Sequence, residues 1–346
     1  MAYVCMVSYP SVKKFITLWN VQLELFIIIL RIFLLVIFII NRGIVFMLNT
    51  RIYSNSSSLR DRLKDDKKPI TFVLGSAISR KINGSGVSDV AEIVSYLKNI
   101  IKDKNHIDKY NNFLAENDLN DEYKSLFEYV AITDGQNRIN EIIRELVLSN
   151  IDKDTGRHKI PTPVSDFTNA IINNEFNVAN IVTTNFDTLI EESFKENGVK
   201  TNSYTMVSDS HLPDGHNGDM NIFHIHGKWD RNDSMHSHSQ LNVGRKKLEG
   251  SLHELFLNTS VVIMAYGGWE DSFTRTLSQI VNHPNADYNI AWCFFQKAND
   301  AIEKSFGPWF EKLETARARG RIQFFKGIDC TNFFKIEENS DDQKKK

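Results

Sequence analysis

"IVTTNFDTLIEESF", residues 181–194, changes its period half-way. Ile181 and Val182 open an apolar run of the strand type, and two threonines follow. Asn185 and Asp187 then flank Phe186, after which Leu189, Ile190 and Phe194 recur at helical spacing. The stretch reads as a strand that ends in polar residues just before a helix. In α/β sheets such a junction is where ligands sit. An amide and a carboxylate placed there suit binding or catalysis; the alternative is that they cap the helix.

The same layout recurs on both sides. "ITFVLGSAIS" (residues 70–79) is an apolar strand broken at Gly75, and "NIFHIHGKWD" (221–230) alternates as a short strand ended by Gly227. "SVVIMAYGGW" (260–269) runs into Gly267 and Gly268, while "YNIAWCFFQ" (288–296) and "RIQFFKG" (321–327) are later strands. Residues 88–150 carry mostly helical patterns instead: Val90, Ile93, Val94, Leu97 and Ile101 share one face, while the polar "DKNHIDKYNNFLAENDLNDE" (103–122) is expected to loop out. Apolar strands alternating with helices predict an α/β fold, a doubly wound, mainly parallel Rossmann-like sheet with a helical insert subdomain at about 88–160. The core is expected at 69–335, its first strand starting at Ile70. A polar linker (49–68) is expected before it and a charged tail (336–346) after it.

A chain of 346 residues suffices for one large domain or two small ones. Its net charge of −2 gives no electrostatic reason to expect direct nucleic-acid binding. The three cysteines, Cys5, Cys293 and Cys330, form no Cys-x-x-Cys pair, so a four-cysteine zinc module cannot be built, and a cytoplasmic, reducing location is expected. The segment 1–48 differs from the rest: "LFIIILRIFLLVIFII" (25–40) is apolar apart from Arg31. Two readings stay open. Residues 23–48 anchor the protein in a membrane, with Arg31 costing about 2.5–3.5 kcal/mol in mid-span, or the segment is a spurious extension upstream of a start at Met47.

Four strand ends carry the chemistry. The small-residue turn Gly75, Ser76, Ala77 and Ser79 lets backbone N–H groups approach a pyrophosphate, or is simply a turn. Asn185 both donates and accepts, and Asp187 can hold a ribose hydroxyl or a cationic ring. His224 and His226 are expected on the same side of a strand, where a histidine can serve as general base. Six of the ten histidines fall between 211 and 238, which raises metal binding as the rival. With no HExxH and no cysteine ligand, no metal site is expected. Gly267, Gly268 and Asp271 form the fourth end, suited to a ribose.

In this order, "GSAIS", "TTNFD", "HIHG" and "YGGWED" resemble the sirtuin superfamily over about residues 70–335, and more closely the SIR2-like domains of bacterial anti-phage defence. The resemblance implies NAD+ as substrate and an NAD+ hydrolase releasing nicotinamide and ADP-ribose, depleting NAD+ in abortive infection. It implies Asn185 and His226 as catalytic residues, the first holding the nicotinamide ribose and water, the second acting as base. Gly75, Ser76, Ala77 and Ser79 would line the pyrophosphate, Asp187 the nicotinamide side, and Gly267 and Asp271 the adenosine half. Thr184, Gly227 and Gly268 complete the implied binding set. Ser76 and Ala77 depart from the family, which has alanine then glycine there. A non-catalytic NAD or ADP-ribose sensor and a protein deacylase are the alternatives; the missing zinc module disfavours the deacylase. Without a recognisable sensor domain or ATPase motif, control by homo-oligomerisation or by a separately encoded activator is expected.

Overall fold

β2 (Ile70–Leu74) is buried along its whole length, and its side chains divide between two cores. Ile70, Phe72 and Leu74 enter one, Val73 the other. β3 (Val178–Thr183) sends Ile181 and Val182 to opposite sides, and β8 (Ser260–Met264) divides Val262 and Met264 from Val261 and Ile263. Strands covered on both faces must be apolar at successive positions, which is why they read as continuous runs.

The computed structural model describes residues 30, 31, 33 and 51–335, apart from 118, 120, 215–218, 269–270, 282 and 284–287. The chain divides into two units, 1–52 and 53–346. In the first, Leu30, Arg31 and Phe33 are helical and exposed; the rest of the expected apolar segment 23–48, like the expected tail 336–346, lies outside the described residues. Among the described residues no helix is long and apolar enough to cross a membrane.

In the second unit eight strands form one sheet in the order β1-β10-β9-β8-β2-β3-β5-β4, and every neighbouring pair is parallel. The other strands are β1 (Tyr53–Ser54), β4 (Thr201–Thr205), β5 (Met220–His224), β9 (Asn289–Phe294) and β10 (Ile322–Lys326); β6 (Gly227–Lys228) and β7 (Asp233–Ser234) make a small hairpin. From β2 the chain first builds outward through β3, then starts again on the other side with β8. That reversal opens a crevice at the strands' C-terminal ends, where open α/β sheets bind ligands.

Helices α1 (Ser56–Asp65), α6 (Thr162–Ile172), α7 (Leu189–Glu196) and α12 (Cys330–Phe333) cover one face. α9 (Lys246–Asn258), α10 (Ser272–Ile280) and α11 (Asn299–Ala318) cover the other. The insert consists of α2 (Val90–Asp103), α3 (Ile107–Asn117), α4 (Glu122–Asp134) and α5 (Gln136–Leu148), with a core of its own around Leu97, Phe127 and Ile143. A single turn, α8 (His238–Leu241), precedes α9.

One expectation is corrected. Residues 53–65 are not a polar linker: β1 pairs with β10 at the sheet edge, and α1 buries Leu59 and Leu63 in the first core. Asn55 caps α1, its Oδ1 accepting from the Ser58 N–H at 3.1 Å. A helix lying on a sheet edge needs only a narrow apolar stripe, and two leucines one turn apart supply it amid polar neighbours.

Candidate active site

The turn after β2 is set by a close approach. A Cβ on Gly75 would lie 2.4 Å from the Ala265 carbonyl oxygen, so only glycine lets the ends of β2 and β8 meet. The next residues form one 3₁₀ turn, in which the Ser76 and Ala77 side chains are exposed at the crevice. The two residues that depart from the family pattern therefore point into open space. Ser79 turns inward and is fully buried.

Its hydroxyl links the two polar residues of the opening stretch. Asn185 Nδ2 donates to Ser79 Oγ at 3.2 Å, and Ser79 Oγ donates to Asp187 Oδ1 at 3.1 Å. The same Oδ1 accepts from the Leu189 N–H at 3.1 Å, so Asp187 also holds the start of α7. The helix-capping role is thus met, and the residue also lines the crevice. Burial raises the Asp187 carboxyl to about 6, against the opposing pull of that N–H. The Asn185 N–H donates to Thr183 Oγ1 at 3.0 Å. Asn185 Oδ1, although buried, has no hydrogen-bond partner among the described residues.

The two histidines part company, which corrects the expectation that they share a side. β5 ends at His224, whose ring lies against Glu191 of α7. The chain then turns at Gly227, with φ of +89° and a would-be Cβ 2.2 Å from the Asp233 carbonyl oxygen. Arg245, almost fully buried, donates through Nη1 to the carbonyls of Met206 (2.6 Å) and Ile225 (2.7 Å), fixing the segment that carries His226. His226 enters the crevice, its Nε2 3.4 Å from Asp271 Oδ2 but without a hydrogen bond. Burial lowers His226 to about 4; Asp271 opposes this, while Arg245 and Lys124 add to it. The ring is neutral at physiological pH.

Asp271 is fully buried and already committed: Tyr266 OH donates to Oδ2 at 2.6 Å, and the Thr274 N–H donates to Oδ1 at 2.9 Å, capping α10. It lies against His226 and lines the cavity. Gly268, with φ of +70°, is needed because a Cβ would lie 2.6 Å from the Phe306 ring.

These ends surround a cavity of about 330 Å³, within the usual range for small-molecule sites. Of the twelve residues singled out in the sequence, Ser76, Ala77, Thr184, Asn185, Asp187, His226, Gly267 and Asp271 line it. Gly75, Ser79, Gly227 and Gly268 shape it from behind. Sequence reasoning missed several walls: Arg80, Val90, Ile93, Tyr123, Met235, His236, Leu241, Tyr266 and Phe295. Arg80, the next residue after "GSAIS", was a legible cation; its guanidinium lies 5.9 Å from the centroid of the exposed Phe295 ring. His236 meets the Tyr123 hydroxyl through Nδ1 and Ser234 Oγ through Nε2, each at 2.8 Å, and stacks on Phe127. Burial holds it neutral, at about 3. Among the described residues no three His, Cys, Asp or Glu side chains are grouped to hold a metal ion.

Residues 179–313 match the SIR2-like domain family. Over that range, less than half of its length, the chain is similar to SIR2-like domains of the sirtuin superfamily. No curated protein matches the chain. The matched range runs from β3 into α11, so the SIR2-like match contains Asn185, His226 and Asp271. The structure adds the β2 turn and Ser79 to the same site.

Proposed function

We propose that this SIR2-like protein hydrolyses NAD+ to nicotinamide and ADP-ribose. The observation that carries the reading is a pair of polar atoms, Asn185 Oδ1 and His226 Nε2. Both belong to residues lining one cavity at the sheet's switch point, and neither has a hydrogen-bond partner among the described residues. Buried polar groups are normally satisfied, so two orphans in one cavity fit a polar ligand. Glycosyl cleavage passes through an oxocarbenium-like state and needs a held ribose and an admitted water. Asn185 Oδ1 can accept from a ribose hydroxyl or from that water. His226 can take the proton as water oxygen bonds to the ribose carbon and the carbon–nitrogen bond's electron pair leaves with nicotinamide. Asp187 faces the departing ring, and Arg80 supplies a cation for the pyrophosphate. Val90, Ile93, Met235 and Leu241 give the cavity an apolar wall that keeps further water out.

NAD+ is the substrate and no zinc takes part; turnover is expected to survive a chelator. The cellular role in this reading is NAD+ depletion in anti-phage defence, restrained by homo-oligomerisation or by a separately encoded activator. The deciding experiment incubates purified protein with NAD+ and follows nicotinamide. Binding of ADP-ribose without nicotinamide release would instead make the domain a sensor module.

A further inference from the structure

His224 is not used by the chemistry above, yet it is 1% exposed and touches the opening stretch. Its Nδ1 lies 2.8 Å from the Asn185 carbonyl oxygen, and its Nε2 lies 2.7 Å from Glu191 Oε1. Both partners are acceptors. A neutral imidazole has one N–H and would turn a lone pair on one of them; only the imidazolium donates to both. The charged groups around the ring are Glu191 on α7, Lys228 on β6 and Asp187 on the loop itself. Glu191 is held in turn by Ser203 Oγ at 2.6 Å, and Ser203 Oγ accepts from Lys228 Nζ at 3.2 Å. Burial opposes the charge on His224, but the Glu191 carboxylate and the two hydrogen bonds outweigh it and raise its pKa above the ordinary value.

The consequence falls on Asn185. Its N–H is tied to Thr183, its carbonyl to His224 and its Nδ2 to Ser79, leaving Oδ1 as the one polar atom without a partner. We infer that His224 is a positioning residue whose cation, gripped by Glu191, clamps the Asn185 carbonyl and so aims the Asn185 amide into the cavity. "HIHG" thus holds two histidines with opposite duties: His226 stays neutral to accept a proton, and His224 stays charged to hold the loop.

This inference rests on the proposed hydrolysis for its kinetic test. An asparagine amide overlays Nδ1 of histidine and a glutamine amide overlays Nε2. His224→Asn therefore keeps the donor to the Asn185 carbonyl, while His224→Gln keeps only the contact with Glu191. The expected result is turnover close to wild type for His224→Asn. His224→Gln is expected to lose about 10²-fold in kcat with little change in KM, the scale of a displaced reacting group. Activity should fall as pH rises through the folded pKa of His224, and Glu191→Gln should move that alkaline limb downward. A purely structural role would lower both melting temperatures and leave the limb in place. Equal turnover in the two histidine variants, or an unmoved limb in Glu191→Gln, overturns the inference. Nitrogen-15 shifts of His224 in the wild-type chain at pH 7.5 decide the case if neither variant folds. Two protonated ring nitrogens support the clamp, and a neutral ring refutes it. If the wild type releases no nicotinamide, the hydrolase reading fails while the nitrogen-15 measurement still tests the clamp.

Discussion

Asp187 carries a charge that its surroundings resist. The carboxyl is 4% exposed, and burial raises its pKa from 3.8 to about 6 even with the Leu189 N–H and Ser79 hydroxyl donating to it. A raised folded pKa gives stability that is present below 3.8 and lost as pH rises through about 6. Above that the ionised form costs on the order of 3 kcal/mol. Asp187→Asn keeps an oxygen for both donors and removes the charge. Its melting temperature should exceed wild type at pH 8, the gain fading towards pH 4, while nicotinamide release falls. Equal melting temperatures at both pH values would show that no such charge is buried. Asn185→Ala and His226→Ala should each cost about 10²–10⁴ in turnover with the fold kept, the range for a lost positioned base. Wild-type activity should fall on the acid side near pH 4, where His226 protonates, and not near its ordinary 6.5. Near-normal turnover in both variants, or an acid limb at 6.5, would remove the assignment. These residues were legible because polar side chains just past the C-terminal ends of parallel strands face the ligand crevice. Tyr123 and His236 were not, because only the packing of α4 against the segment before α8 brings them to the cavity.

Elements with continuous apolar runs or a wide apolar face were readable: β2, β8, β9 and the insert helices α2, α4 and α5 bury the face the pattern marked, whereas α3 lies in the polar run expected to loop out. The failures occurred where one element does several jobs. α1 exposes most of its length and keeps only Leu59 and Leu63 inside, so its composition resembles a linker. β5 stops at His224, two residues before the histidine that reaches the cavity, because Gly227 needs its turn there. Period-two alternation could not foresee that break. The edge is tested by truncation and by one cavity. A protein beginning at Ile70 loses β1 and α1, leaving β10 unpaired along that edge, and should aggregate or melt early. Leu59→Ala should cost about 2–5 kcal/mol by denaturant unfolding, as for other buried leucines. A loss under 1 kcal/mol would return residues 53–65 to the status of a linker.

At the scale of the molecule, Ser76, Asn185, His226 and Asp271 converge although some two hundred residues separate the first from the last. The reason is topological. When all eight strands of a sheet are parallel, their C-terminal ends lie along one edge, so residues just past different strands become neighbours. That rule made the site legible as a set before the strand order was known. The order itself, with its reversal between β2 and β8, left no local trace in the sequence because it depends on how crossovers pack. The same topology bears on the apolar segment 1–48. Residues 53–335 supply the eight strands, the helices on both faces and the side chains that line the cavity. A protein lacking residues 1–46 keeps Asn55 to cap α1 and Tyr53 to pair with Phe324 on β10. It should therefore match the full chain in melting temperature and in nicotinamide release, measured without detergent. The comparison also separates two roles for the segment. A role in location alone leaves both measurements unchanged, whereas a truncated protein that aggregates, or that folds but cleaves no NAD+, would make residues 1–46 part of the working fold.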